Sequence, residues 1–278
     1  MNQELEWDLQ VAAGGRIILL RNILIAALAL TFNFCFLPPS SFGQSSLWAK
    51  HGRAFPTRCF SDSLRDCNPI RIPSPDKRAF VDVKYRKVSL ENGDFLMESF
   101  LVLTQTDRST REDGTVGLVQ AELLWAPDSS KFLVTGSDGG EGPFHIAVYN
   151  LSGPSADNLN VSGVQRDMLQ TFHPCKAKDA DPKDCKLLEE NPRYINVVAV
   201  GWARGSSAIA LMAEVPCCGR FGGIAGQVLG YEVDASSGKI LERMGANEFA
   251  ERWQHNLAWK FETPEPPEYR TKPSSTPD

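Results

Sequence analysis

Between residues 79 and 260 the chain alternates short apolar runs with clusters of Pro, Gly, Asp and Ser. The runs Val83 to Val88, Phe95 to Thr104, Leu118 to Leu124, Phe132 to Val134, Ala147 to Leu151, Tyr194 to Val200 and Gly230 to Asp234 are rich in β-branched and aromatic residues. Runs of this kind, bounded by turn formers, predict strands, and their close spacing predicts antiparallel hairpins. Two stretches break the pattern. Gly163 to Phe172 predicts a helix, and Ala246 to Leu257 places Phe249, Trp253 and Leu257 at i, i+4 and i+8 on one apolar stripe. Such stripes face a core, so this second helix is expected to cover a sheet edge or face and to bury Trp253.

The strands repeat in register with a motif. Trp125-Ala126-Pro127-Asp128-Ser129-Ser130-Lys131-Phe132 lines up with Trp202-Ala203-Arg204-Gly205-Ser206-Ser207-Ala208-Ile209, and a fainter copy is Ser74-Pro75-Asp76-Lys77-Arg78-Ala79-Phe80. In the two clear copies an apolar run precedes the motif, a polar turn leads into the next run, and a glycine-rich loop follows (Gly136 to Gly142; Gly219 to Gly226). Tryptophan, a small residue, Pro-Asp and a hydrophobic strand together resemble the blade motif of β-propellers in Tol-system translocation proteins and prolyl oligopeptidases. The hairpin Tyr231-Glu232-Val233-Asp234-Ala235-Ser236-Ser237-Gly238-Lys239 is similar to the outer strands of such blades. The resemblance implies a mainly β fold of antiparallel, propeller-like or stacked β-sheets, about three repeat units, with one or two short helices. The chain departs from that family in two ways. A closed propeller takes about four to eight blades of roughly 40–50 residues, whereas the three units here are separated by 52 residues (Asp76 to Asp128) and 77 residues (Trp125 to Trp202). No length is left for the hydrolase domain that accompanies prolyl-oligopeptidase propellers.

The N-terminus changes the picture from fold to compartment. Arg16 and Arg21 precede an apolar stretch from Ile23 to Phe36, and Ser41 and Gly43 supply a small-x-small exit before Gln44. This is the pattern of a secretory signal peptide over residues 1–43, the alternative being an uncleaved membrane anchor. A β-rich domain is then expected over 44–260 and a disordered, solvated Pro-rich tail over 261–278.

Beyond the signal, six cysteines remain: Cys59, Cys67, Cys175, Cys185, Cys217 and Cys218. An even count in an exported chain reads as a disulfide set, and local spacing favours Cys59–Cys67 and Cys175–Cys185. Cys217 and Cys218 are adjacent, closer than the usual Cα separation of a disulfide, so a bond between them would be strained and reducible; two buried thiols or bonds to distant partners are the alternatives. A zinc site from His173, Cys175, Cys185 and Cys217 matches no standard ligand spacing.

Composition and chemistry narrow the function classes. With 29 basic and 34 acidic residues the net charge is −5, and no basic patch or stripe of a nucleic-acid binder occurs. There is no nucleophile elbow, zinc-protease helix, phosphate loop or dinucleotide fingerprint. His145 sits in a predicted strand with no nucleophile paired to it. Asp179, Asp181 and Asp184 could offer oxygen ligands to Ca²⁺, but Lys176, Lys178, Lys183 and Lys186 neutralise them. Asn150-Leu151-Ser152 and Asn160-Val161-Ser162 match the glycosylation pattern. One loop, Pro216-Cys217-Cys218-Gly219-Arg220-Phe221-Gly222-Gly223, combines a cation, an aromatic expected to be exposed and flexible glycines, and Arg220 and Phe221 are the candidate contact residues.

The sequence therefore reads as an exported, secreted or periplasmic, non-catalytic binding or scaffold protein. Its expected partner is a protein or a small extracellular ligand, with no cofactor, no metal and no nucleic acid, and membrane contact only through an uncleaved N-terminal segment. Two other readings stand beside it: a secreted hydrolase or thiol-redox protein using the Cys217-Cys218 loop, and a membrane-anchored interaction subunit.

Overall fold

A computed structural model describes residues 46–60, 67–90, 93–106, 108–115, 120–137, 144–153, 156–216 and 221–269. The protein is mainly β, in three antiparallel sheets, each built around a four-strand meander. Sheet 1 runs β3 (Ile70–Pro73), β4 (Ala79–Ser89), β5 (Phe95–Gln105) and β6 (Arg108–Thr115). Sheet 2 runs β7 (Gln120–Trp125), β8 (Lys131–Ser137), β9 (His145–Asn150) and β10 (Ala156–Asn158). Sheet 3 runs β11 (Asn196–Ala203), β12 (Ala208–Glu214), β13 (Val228–Asp234) and β14 (Ile240–Met244). Two strands from the N-terminal segment, β1 (Arg53–Pro56) and β2 (Arg58–Phe60), add to β7 of sheet 2 and β5 of sheet 1.

The internal echo has a geometric meaning. Trp125 Nε1 donates to the carbonyl of Ile72 at 3.3 Å, and Trp202 Nε1 donates to the carbonyl of Leu124 at 3.2 Å. Ile72 and Leu124 occupy equivalent places in successive units, so each indole reaches back to the preceding sheet. In all three turns the aligned residue has a left-handed backbone: Lys77 (φ 62°), Ser129 (φ 60°) and Ser206 (φ 73°). The next residue's carbonyl then accepts an amide from beyond the third strand, Thr106 to Arg78, Leu151 to Ser130 and Ala235 to Ser207. One turn chemistry thus sets the register of three hairpins.

Apolar side chains fill the spaces between sheets. Phe55, Val81, Val83, Leu101, Leu123, Phe132 and Tyr149 form the layer joining sheets 1 and 2. Leu133, Ile146, Ile209, Leu211, Leu229 and Tyr231 form the layer joining sheets 2 and 3. Helix α1 (Ser162–Phe172) packs Val164, Met168 and Phe172 into that second layer. Asp167 of α1 holds it to sheet 3 by accepting Tyr231 Oη at 2.7 Å and pairing with Arg243 Nε at 2.9 Å.

Three α-helices are present among the described residues, which corrects the expected one or two. The additional one is α2 (Pro182–Glu190), inside the stretch between Cys175 and Cys185 and just beyond it. Asp181 caps it by accepting the amides of Lys183 at 2.7 Å and Asp184 at 3.2 Å, and Pro182 stands in its first turn. The third helix, α3 (Ala246–Trp253), lies on the face of sheet 3 away from sheet 2, where Phe249, Trp253 and Leu257 are buried with Val200, Ala210, Met212 and Met244. Close approach is possible because Gly230 and Gly201 carry no side chain: a Cβ at either would collide with Phe249 or Trp253.

The N-terminal segment links all three sheets. Ala49 bridges Leu257, Lys50 N donates to Asn256 O at 2.7 Å, and the chain then passes through β1 and β2. Its anchor is the buried Glu122 of β7, whose carboxylate accepts the amides of Leu47, Trp48 (2.9 Å) and Ala49 (2.7 Å). Burial outweighs those three donors and pushes the Glu122 carboxyl up to about 7.

Candidate functional site

The loop singled out by sequence leaves β12 at Glu214 and returns at Val228. Cys217, Cys218 and Arg220 lie outside the described residues. Phe221 is placed, and it points into the core at 8% exposure beside Ala177, Ala180 and Ile224. Its burial corrects the expectation of an exposed aromatic: the ring anchors the loop. Glu214, at the root of the same loop, is buried, and its Oε2 has no hydrogen-bond partner among the described residues. Desolvation therefore raises its pKa well above the ordinary carboxylate range.

What the loop meets is more informative than what it contains. Cys175 and Cys185 are disulfide-bonded, as are Cys59 and Cys67. The first of these bonds closes a loop that carries Ala177, Lys178 and Asp179 against the turn at Gly222 and Gly223. A third segment completes the cluster. Residues 261–269, the near part of the stretch expected to be a solvated tail, run along this surface. Lys178 N donates to Glu268 O at 3.0 Å, Glu268 N donates to Gly223 O at 3.1 Å, and Gly223 N donates to Lys178 O at 2.9 Å. Three segments distant in sequence thus exchange main-chain hydrogen bonds in a ring. Around it, Lys178 Nζ pairs with Glu268 Oε2 at 3.0 Å, Ala177 bridges Tyr269, and Gln227 Nε2 donates to Glu265 O.

Glycine at 222 and 223 is required by this packing. Gly222 has φ 56°, and a Cβ there would strike the backbone of Lys178 and Ala180; a Cβ on Gly223 would strike the backbone of Glu268. The segment itself shows a period of three. Phe261, Pro264 and Pro267 are half-buried, whereas Glu262, Thr263, Glu265, Pro266, Glu268 and Tyr269 are exposed. Three residues per turn is the repeat of a polyproline II ribbon.

No family model and no curated protein matches the chain. No helix among the described residues is long and apolar enough to cross a membrane, and the segment 1–43 lies outside them. No group of three or more His, Cys, Asp or Glu residues among the described ones could hold a metal ion. Asp181 is committed to capping α2, and His145 is exposed on β9. Sequence reading missed Glu122, Glu214 and the docking of residues 261–269. For the last, the spacing Phe261-x-x-Pro264-x-x-Pro267 was the available signal; the two glutamates carried none, since nothing in a sequence marks a strand carboxylate as buried.

Proposed function

We propose that the protein is an exported, non-catalytic binding or scaffold module, a propeller-like stack of sheets that presents loop surfaces to a protein or small ligand outside the cytosol. The observation that carries this reading is the disulfide-braced loop cluster around Lys178, Gly223 and Glu268. There an extended segment is seated by main-chain hydrogen bonds on a rigid β frame. The two disulfides fit an oxidising compartment. Expression with the native N-terminus in an exporting host tests the proposal. Mature protein beginning at Gln44 in the exported fraction, with Cys59–Cys67 and Cys175–Cys185 oxidised, is the expected result. Retention in the reducing cytosol, or a thiol-exchange turnover lost in Cys217→Ser and Cys218→Ser, would replace it with the thiol-redox reading.

A further inference from the structure

Beyond Phe261, whose ring packs on Phe249, most of the hydrogen bonding that holds residues 262–269 is indifferent to their side chains. The ring through Lys178, Glu268 and Gly223 uses only amides and carbonyls, and Gln227 likewise reads the Glu265 carbonyl. Side-chain selection comes from three features: the half-buried Phe261, Pro264 and Pro267 at intervals of three, the Glu268 carboxylate on Lys178, and glycines 222 and 223, which leave room for a passing backbone. Those features would select a polypeptide that is already extended, is proline-bearing at that period, and carries a carboxylate at the matching place. Phe261 is pinned to helix α3, its amide on Gln254 Oε1 at 2.8 Å and its ring 5.8 Å from that of Phe249, and the residues beyond it belong to no named strand, so they can lift without dismantling a sheet.

Resting on the binding-module reading above, we propose that this surface is a receptor groove for an extended, proline-rich acidic segment of another polypeptide. The protein's own residues 261–269 are its resident competitor. Glu268 is the residue on which occupancy turns, because it supplies both a ring amide and the carboxylate for Lys178. A tethered competitor acts at an effective concentration of about millimolar, so a free segment of similar intrinsic affinity enters only when the resident one is weakened.

The test uses the full oxidised chain and a fluorescein-labelled peptide of residues 261–270, followed by polarisation. Glu268→Pro in the chain removes the amide and the carboxylate from the resident segment and leaves the groove unaltered. Hydrogen exchange at the Lys178 amide, which donates to the Glu268 carbonyl, reads its release. Peptide affinity should rise by about tenfold or more over the wild-type chain, and Gly223→Ala added to Glu268→Pro should abolish binding, as should Glu268→Lys in the peptide. The proposal is overturned if the released chain binds no peptide, if the Lys178 amide stays protected in Glu268→Pro, or if release unfolds the domain by near-ultraviolet circular dichroism. A dimer formed by exchanging these segments would make a second copy the occupant and would also overturn it. Peptide binding is read on purified protein, so its failure is separate from any failure of export.

Discussion

Sheet 3 and sheet 1 each have a face turned away from sheet 2, and the two faces are finished differently. On sheet 3, helix α3 and Trp48 close over the strands, leaving Phe249 and Trp48 at 0% exposure, while Arg252 ties the helix to Glu242 of β14 at 2.7 Å. On sheet 1, no helix among the described residues takes that place. Phe80 lies 4.0 Å under the Arg71 guanidinium and Phe100 lies 5.8 Å from that of Arg86, with Lys84 exposed between them and Asp82 paired to Arg71 at 2.7 Å. One end of the stack excludes water with hydrocarbon, the other shades its rings with charged side chains that remain wet. The first device is worth far more free energy per residue; the second keeps a sheet face soluble without burying it.

The comparison can be broken most directly by truncating one ring at each end. Phe249→Ala should cost about 3–5 kcal/mol, since it empties a fully buried site against Gly230, whereas Phe100→Ala should cost roughly 1 kcal/mol. Urea unfolding of the two variants decides it, and equal losses would mean the ends do not differ. Next in size is a pH effect where Glu122 of β7 clamps Leu47 to Ala49, the segment that carries Trp48 to the closed end. Its folded pKa of about 7 lies above its ordinary value of 4.5, so the folded state holds the proton more tightly. The resulting stability is fully present below about 4.5 and is lost as pH rises through about 7, on the order of 3 kcal/mol in all. Glu214, also raised, acts in the same direction. Glu122→Gln should flatten most of that slope in unfolding free energies measured from pH 5 to 8; an unchanged slope would assign it elsewhere.

Removing the Cys175–Cys185 bond by paired Ser substitution should cost about 2–3 kcal/mol on the loop-entropy account. It should also raise hydrogen exchange at Lys178 and Glu268, with no change in sheet 1. The smallest expected effect is Arg71→Ala at the wet end, about 0.5–1 kcal/mol from its contact with Phe80 and its exposed pair with Asp82. Thermal melts resolve it, and a loss as large as that of Phe249→Ala would show that the guanidiniums are structural at this face.

Much of the fold was legible because its determinants are local. Pro127-Asp128-Ser129 and its copies specify turns, Phe249, Trp253 and Leu257 specify a buried helix stripe, and the spacing of Cys59–Cys67 and Cys175–Cys185 predicts bonds that are present. Helix α2 went unread, because the aspartates and lysines around Asp181 suggest a polar loop and the cap it forms is a local detail among them. The candidate site was not legible, because its parts are distant. Lys178, Gly223 and Glu268 meet only through the completed sheets, and Phe221, which by composition reads as an exposed contact, turns inward to fill the layer beneath Ala177.

The backward reach of the tryptophan indoles gives the stack a polarity along the chain. Trp202 needs the carbonyl of Leu124, and Trp125 needs that of Ile72, but position 73, where the first unit would carry its own tryptophan, is proline and donates to nothing. In chain order, each docking carbonyl precedes the tryptophan that uses it. The join of Ala49 to Leu257 runs the other way, tying the start of the described chain to the residues that follow its last helix.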